Sequence, residues 1–139
     1  AFPLPSANRR ARDDALHRLS AMANRAPWGW TARTRHALRA FLLEGRSHMT
    51  DIARALDVHP RTLRRSLAIE GTTYEELRDE VRHAMACELL SMSSLAVADL
   101  ALTLGYASPS AFIHAFRRWT GKSPAAWRRE RQTARRSSR

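Results

Sequence analysis

Apolar residues in this chain return every three or four positions, in stretches separated by glycine, proline and serine. That is the period of amphipathic helices. No stretch alternates apolar and polar residues as a half-buried strand does, so an all-α fold is expected. Ser6 is placed to cap a helix to about Ala23, with Ala15, Leu16, Leu19, Met22 and Ala23 at helical spacing. Ala26-Pro27-Trp28-Gly29-Trp30 then breaks the pattern. Thr31 is expected to cap a helix over 32–43 that turns Ala37, Leu38, Phe41 and Leu42 inward. Thr50 is expected to cap Asp51 to Leu56, with Asp51 in the first turn, where the helix dipole favours an anion. Pro60 opens the next helix, at a position where a missing N–H costs nothing, and Gly71 ends it.

A longer helix is expected from about Thr73 to Leu90, with Leu77, Val81, Met85 and Leu89 at steps of four and Ala84 and Glu88 alongside. Beyond the polar Ser91-Met92-Ser93-Ser94, a helix from Val97 to Leu104 closes at Gly105. Ser108 caps the next helix with Pro109 in its first position, and Gly121 stops it. Pro124 starts a last short helix that carries Trp127.

Two parts of this pattern are copies of each other. Asp51-Ile52-Ala53, Leu56-Asp57-Val58, Leu63, Leu67 and Gly71 recur as Asp99-Leu100-Ala101, Leu104-Gly105-Tyr106, Phe112, Phe116 and Gly121. The offset starts at 48 residues and drifts to 50 as single residues enter the turns. Each copy is a short helix, a tight turn, a second helix and a stop, the layout of a helix-turn-helix. The small Ala53 and Ala101 let the two helices cross closely, and the apolar pairs four apart anchor the second helix to a core. In such a unit the second helix lies in the major groove of DNA and presents its N-terminal half to base edges.

Composition agrees with an anionic partner. The 139 residues carry a formal net charge of +11, and only one of the 24 basic residues, Lys122, is lysine. Arginine suits bidentate contacts to phosphate and guanine. The single cysteine, Cys87, excludes an internal disulfide, and the six histidines lack metal-ligand spacing. No cofactor or metal is called for. No apolar run reaches the ~20 residues of a membrane span, and the N-terminus does not read as a signal peptide. A soluble, reducing, cytoplasmic setting is expected, with no membrane partner.

The two second helices offer different outward faces. In the first copy Arg61, Thr62, Arg64 and Arg65 point outward, and Arg61 and Arg65, four apart, share one face. Three guanidiniums without a neighbouring acid repel one another until an anion sits before them, so this face is expected to be a nucleic-acid surface. In the second copy Ser110 and His114 can reach bases, while Ala111 or Ile113 can touch a thymine methyl. Arg117, Arg118 and Lys122, with Thr62 and Ser108 at the helix starts, are expected on the DNA backbone. About 18 residues of linking helix give a strut of roughly 27 Å, against ~34 Å between successive major grooves on one face. With loops added, one chain can place both second helices in adjacent grooves.

From Arg82, Ala86, Leu89 and Leu90, and then from Asp99 continuously through Gly105-Tyr106, Phe112, Phe116, Gly121 and Ser123-Pro124 to Trp127-Arg128, the chain resembles the AraC/XylS signature. Ile52–Leu56 and Pro60-Arg61-Thr62-Leu63-Arg64-Arg65-Ser66-Leu67 resemble that family's first helix-turn-helix. The resemblance covers roughly residues 31–130. It implies a bacterial transcription regulator, usually an activator, bound to double-stranded promoter DNA and acting through RNA polymerase. It also implies that Arg61, Arg64 and Arg65 read bases in one groove, and Ser110 and His114 in the next. Asp57 departs from the pattern, since glycine is common there and suits a left-handed turn better.

The organisation expected is a linker over residues 1–30, a DNA-binding domain over 31–130 and a disordered basic tail over 131–139. Within the domain, the first helix-turn-helix lies at about 50–70, the linking helix at about 73–91 and the second unit at about 97–120. The start without Met and the linker-like first residues suggest the DNA-binding half of a longer protein, with effector binding and dimerisation in an N-terminal domain. Two other classes remain to be separated. An enzyme would need Cys87 activated, though no base stands near it in sequence; a buried structural thiol is the plainer reading. His59 and His83 read as a turn residue and a surface residue. An RNA-binding or architectural protein would use the basic tail alone and bind without regard to sequence.

Overall fold

The computed structural model describes Arg10, Asp14 and residues 28–138. Over these residues the helices are α1 (Trp30–Phe41) with a 3-10 turn after it (Leu42–Glu44), α2 (Met49–Ala55) and α3 (Pro60–Ile69). They continue as α4 (Tyr74–Met92), α5 (Val97–Thr103), α6 (Pro109–Thr120) and α7 (Pro124–Ser137). The fold is all-α, with two helix-turn-helix units, α2–α3 and α5–α6, and a long helix between them in the chain. Apart from Arg10 and Asp14, the helix expected from Ser6 to Ala23 lies outside the described residues.

The chain divides into two units, one ending at Asp79 and the other starting at Glu80, so α4 contributes to both. In the first unit Leu38 and Leu42, Ile52 and Ala53, and Leu63 and Leu67 are wholly buried. In the second, Ala86 and Leu90, Leu100 and Ala101, and Phe112 and Phe116 are wholly buried. Burial shows that the copied segment begins a helix earlier than the sequence pattern suggests. Arg33, Thr34, Ala37, Leu38 and Leu42 are buried, and 48 residues later so are Val81, Arg82, Met85, Ala86 and Leu90. The duplicated element is therefore three helices. The expected neighbours on the long helix, Ala84 and Glu88, face solvent instead.

The turn between α2 and α3 repeats between α5 and α6. The Val58 N–H donates to Ala53 O and the Tyr106 N–H to Ala101 O, both at 3.0 Å. Both turns need a left-handed residue, supplied by Gly105 at φ 84° and by Asp57 at φ 58°. A Cβ at that position crowds the carbonyl beyond it, so the first turn carries strain that the second avoids.

Two expected caps are absent. α1 starts at Trp30 with Gly29 as its N-cap, and Thr31 lies inside the helix. Its first donors are satisfied from the end of α3: Glu70 accepts from the Trp30 N–H at 2.6 Å and the Thr31 N–H at 3.0 Å. A side chain 40 positions away thus does what Thr31 was expected to do. Gly29 makes room for it, since a Cβ there would stand 2.7 Å from the carboxylate. α2 starts at Met49 with His48 as N-cap and no side-chain cap, so Thr50 is not the cap either.

Burial alone would raise the Glu70 pKa, but hydrogen bonds from Thr31 and Trp30 outweigh it and hold the carboxyl below its usual range. The folded state thus favours the carboxylate more than the unfolded chain does. This stabilisation is complete above the ordinary carboxylate value of about 4.3 and disappears as pH falls through the lower folded value. Glu70→Gln is expected to lower stability at pH 7 and to flatten the acid limb of a denaturant-midpoint profile below about pH 4. An acid limb as steep as in the wild type would remove Glu70 from this role.

Residues 131–137, expected as a disordered tail, continue α7. The Arg128 Nε donates to Leu90 O at 3.1 Å, and the Arg135 guanidinium donates to Ser91 O at 3.0 Å. The Arg131 guanidinium lies over the Trp127 ring, 4.7 Å from its centroid. Arginines that read as a charge run in the sequence serve here as fastenings to the end of α4, whose last carbonyls have no partner within their own helix.

Candidate nucleic-acid interface

α3 is short and strongly two-sided. Leu63 and Leu67 are wholly buried, which fixes the roll of the helix and leaves Arg61, Thr62, Arg64 and Arg65 exposed. Its start is set by Pro60 in the first turn and by His59, whose Nδ1 accepts from the Arg61 N–H at 3.1 Å. The turn histidine is thus the cap, and it holds the backbone of the first arginine. Arg64 reaches the Met49 thioether at 3.5 Å. Among the described residues no carboxylate pairs with Arg61, Arg64 or Arg65. The three charges expected on one helix are together, exposed and without a counter-ion.

α6 is anchored by Phe112 and Phe116, both wholly buried. Ser108 caps it, its Oγ accepting from the Ala111 N–H at 3.1 Å, which leaves the hydroxyl proton free to donate. Ser110, His114, Arg117 and Arg118 are exposed, and Ile113 is half-buried. Lys122 is exposed but engaged, because its Nζ is paired with Glu130 of α7. A phosphate at Lys122 would have to compete with that carboxylate, which sequence spacing alone did not reveal.

Two further residues, Arg82 and His83, hold the second unit, and the sequence pattern gave neither this role. Arg82, on α4, donates from Nε to Leu104 O at 3.1 Å and from its terminal nitrogen to Gly105 O at 3.2 Å. Its guanidinium lies 4.6 Å from the Tyr106 ring centroid. One buried arginine therefore ties the end of α5 and the left-handed turn to α4. At the corresponding place in the first unit stands Thr34, whose hydroxyl has no hydrogen-bond partner among the described residues. His83 is half-buried, not a surface residue, with its ring 5.0 Å from Trp119 and 6.2 Å from Phe116.

Cys87 is half-buried. Burial pushes its thiol up, and Glu88 adds to this while Arg131 opposes it. A nucleophilic thiol needs the opposite shift. Among the described residues no helix is long and apolar enough to cross a membrane.

A helix-turn-helix domain model matches residues 52–130, more than half of the chain. An uncharacterized HTH-type transcriptional regulator of Mycobacterium tuberculosis is 48% identical over 80 residues, which make up 58% of this chain and 23% of that protein. The match thus spans under a quarter of that relative's length. Among solved structures, the transcriptional regulator CdpR from Pseudomonas aeruginosa superposes with a TM-score of 0.64 at 41% identity, over 79% of this chain and 35% of that one. The DNA-binding domain of AdpA, a global transcriptional factor solved in complex with a target DNA, gives a TM-score of 0.57 at 28% identity, over 73% of this chain and 95% of that one. With two helix-turn-helix units built on one repeated pattern and residues 52–130 matched, the chain belongs to the AraC-type helix-turn-helix family.

Proposed function

We propose that this chain is the DNA-binding part of a bacterial transcription regulator, cytoplasmic and bound at promoters as an activator acting through RNA polymerase. The observation that carries the reading is the α3 face. Arg61, Arg64 and Arg65 are exposed, share one side and find no carboxylate among the described residues, while Leu63 and Leu67 fix the helix beneath them. Bidentate guanidinium contacts to guanine are the commonest specific base contacts in the major groove. α3 enters one major groove with these arginines and α6 enters the next with Ser110 and His114. Arg117, Arg118, Thr62, Ser108 and, once freed from Glu130, Lys122 hold phosphates. Effector binding and dimerisation belong to an N-terminal domain of a longer protein, a reading supported by a relative of which the matched residues make up only 23%.

Selection of bound duplexes from a random pool tests the double grip. Two short blocks about one helical turn apart are expected; a single block, or none, overturns it. Arg65→Ala is expected to cost about 1–3 kcal/mol on the selected duplex and to relax preference at one base of the first block. Unchanged preference would remove Arg65 from base reading.

A further inference from the structure

We infer that α7 is a third DNA-contact element, a preformed arm whose outward face binds phosphates of the duplex. The inference rests on the DNA-binding reading above and adds to it a surface that neither helix-turn-helix contains. Arg128 and Arg135 point to the end of α4 and are spent on Leu90 O and Ser91 O. Arg131 lies over Trp127, and the one acid of the helix, Glu130, is taken by Lys122. What remains is Arg129 and Arg136, both exposed.

These two are seven residues apart, two helical turns, and so lie on the same face about 10 Å apart along the axis. That face stands about 100° around the helix from Arg128 and Arg135, with Arg136 also bordering the cleft lined by Ser91, Arg131 and Arg135. Among the described residues neither has a carboxylate partner. A favourable interaction with the helix dipole explains Arg136 in the last turn, but not Arg129 in the middle of the helix. The turn through Gly121 joins this helix to the last turn of α6, which carries the exposed Arg117 and Arg118.

The fastening by Arg128 and Arg135 gives the arm its purpose. A disordered tail would lose chain entropy on meeting DNA, whereas an ordered helix presents its charges with that cost already met. Planar guanidiniums suit phosphate oxygens and carry no sequence information in such contacts.

The test uses the 139-residue chain and the Arg129→Gln/Arg136→Gln double variant, on the selected duplex and on a random duplex, over a fourfold range of salt. Each lost phosphate contact flattens the slope of log affinity against log salt by about 0.9. The variant is therefore expected to lose about tenfold less affinity than the wild type across that range, equally on both duplexes, with base preference and helix content unchanged. An unchanged slope overturns the arm, including the case in which these arginines serve an acidic protein instead. A change confined to the selected duplex also overturns it, because backbone contacts weaken all sequences alike. If the wild type binds neither duplex, the DNA-binding reading itself fails, a result distinct from either of these.

Discussion

Replacing Phe116 with alanine is expected to destabilise the second unit by about 4 kcal/mol, within the range for truncating a buried aromatic. The ring is wholly buried. It meets Phe112 at 5.8 Å and Trp127 at 6.0 Å between centroids, and His83 and Trp119 at 6.2 and 6.4 Å. One side chain thus touches α4, α6 and α7 together, and its neighbours are rings on three different helices that cannot all close on the space it leaves. Residual cavity volume is what separates costly truncations from mild ones. Small domains are stable by only about 5–15 kcal/mol in total, so the variant should unfold at a much lower denaturant midpoint. Leu67→Ala, at the matching place in the first unit, should cost about 3 kcal/mol, since less buried volume is removed. A loss below 1 kcal/mol for Phe116→Ala would mean that the aromatic cluster is not the core of its unit.

The helices and their inward faces were legible in the sequence because they rest on periodicity, and periodicity is local. Leu38, Phe41, Leu63, Leu67, Phe112 and Phe116 are buried as the spacing predicts. Pro60 and Pro109 start helices for reasons contained in a single residue. The exposed sides of α3 and α6 followed from the same spacing once their anchors were known. What the sequence hid was interaction at a distance. Thr31 reads as a cap because threonine often is one, yet Glu70 reaches the helix start first from 40 positions away. Arg128 and Arg135 read as a solvated charge run, because no pattern of neighbours reveals that carbonyls at the end of another helix lie within reach. Lys122 looked free for the same reason, with Glu130 on the following helix as its partner.

The duplication explains why the exposed sides of α3 and α6 can differ so much. Each is held from behind by apolar anchors, and the side that meets solvent contributes nothing to those contacts. Position 64 is arginine where position 113 is isoleucine, and 65 is arginine where 114 is histidine, over the same pair of anchors. The scaffold tolerates either set, so the outward residues are free to be chosen by the partner. The turns have diverged in the opposite sense. The first keeps a strained Asp57 and has Thr34 behind it, while the second has the relaxed Gly105 and a buried arginine. The better-secured turn precedes the helix with the less charged outward face.

That contrast makes Arg82 the second position with a large expected effect. Arg82→Met keeps an apolar stem of similar length and removes two charge-assisted hydrogen bonds, to Leu104 O and Gly105 O, together with the contact over Tyr106. Hydrogen bonds from a charged group contribute about 1.5–3 kcal/mol, and a desolvated cation over an aromatic ring adds about 1 kcal/mol. A net loss of about 3 kcal/mol is expected, because the two bonds share one charge. Arg82→Lys should recover only part of it, since a single ammonium cannot match a planar fork aimed at two carbonyls. The functional readout is more specific than the stability readout. With the turn before α6 no longer tied to α4, protection of the second sequence block should weaken first, while the first block, assigned to α3 in the proposed function, should stay protected. Equal weakening at both blocks would make Arg82 a general stabiliser of the chain, and a Met variant within 0.5 kcal/mol of the wild type would show that the turn holds its shape without it.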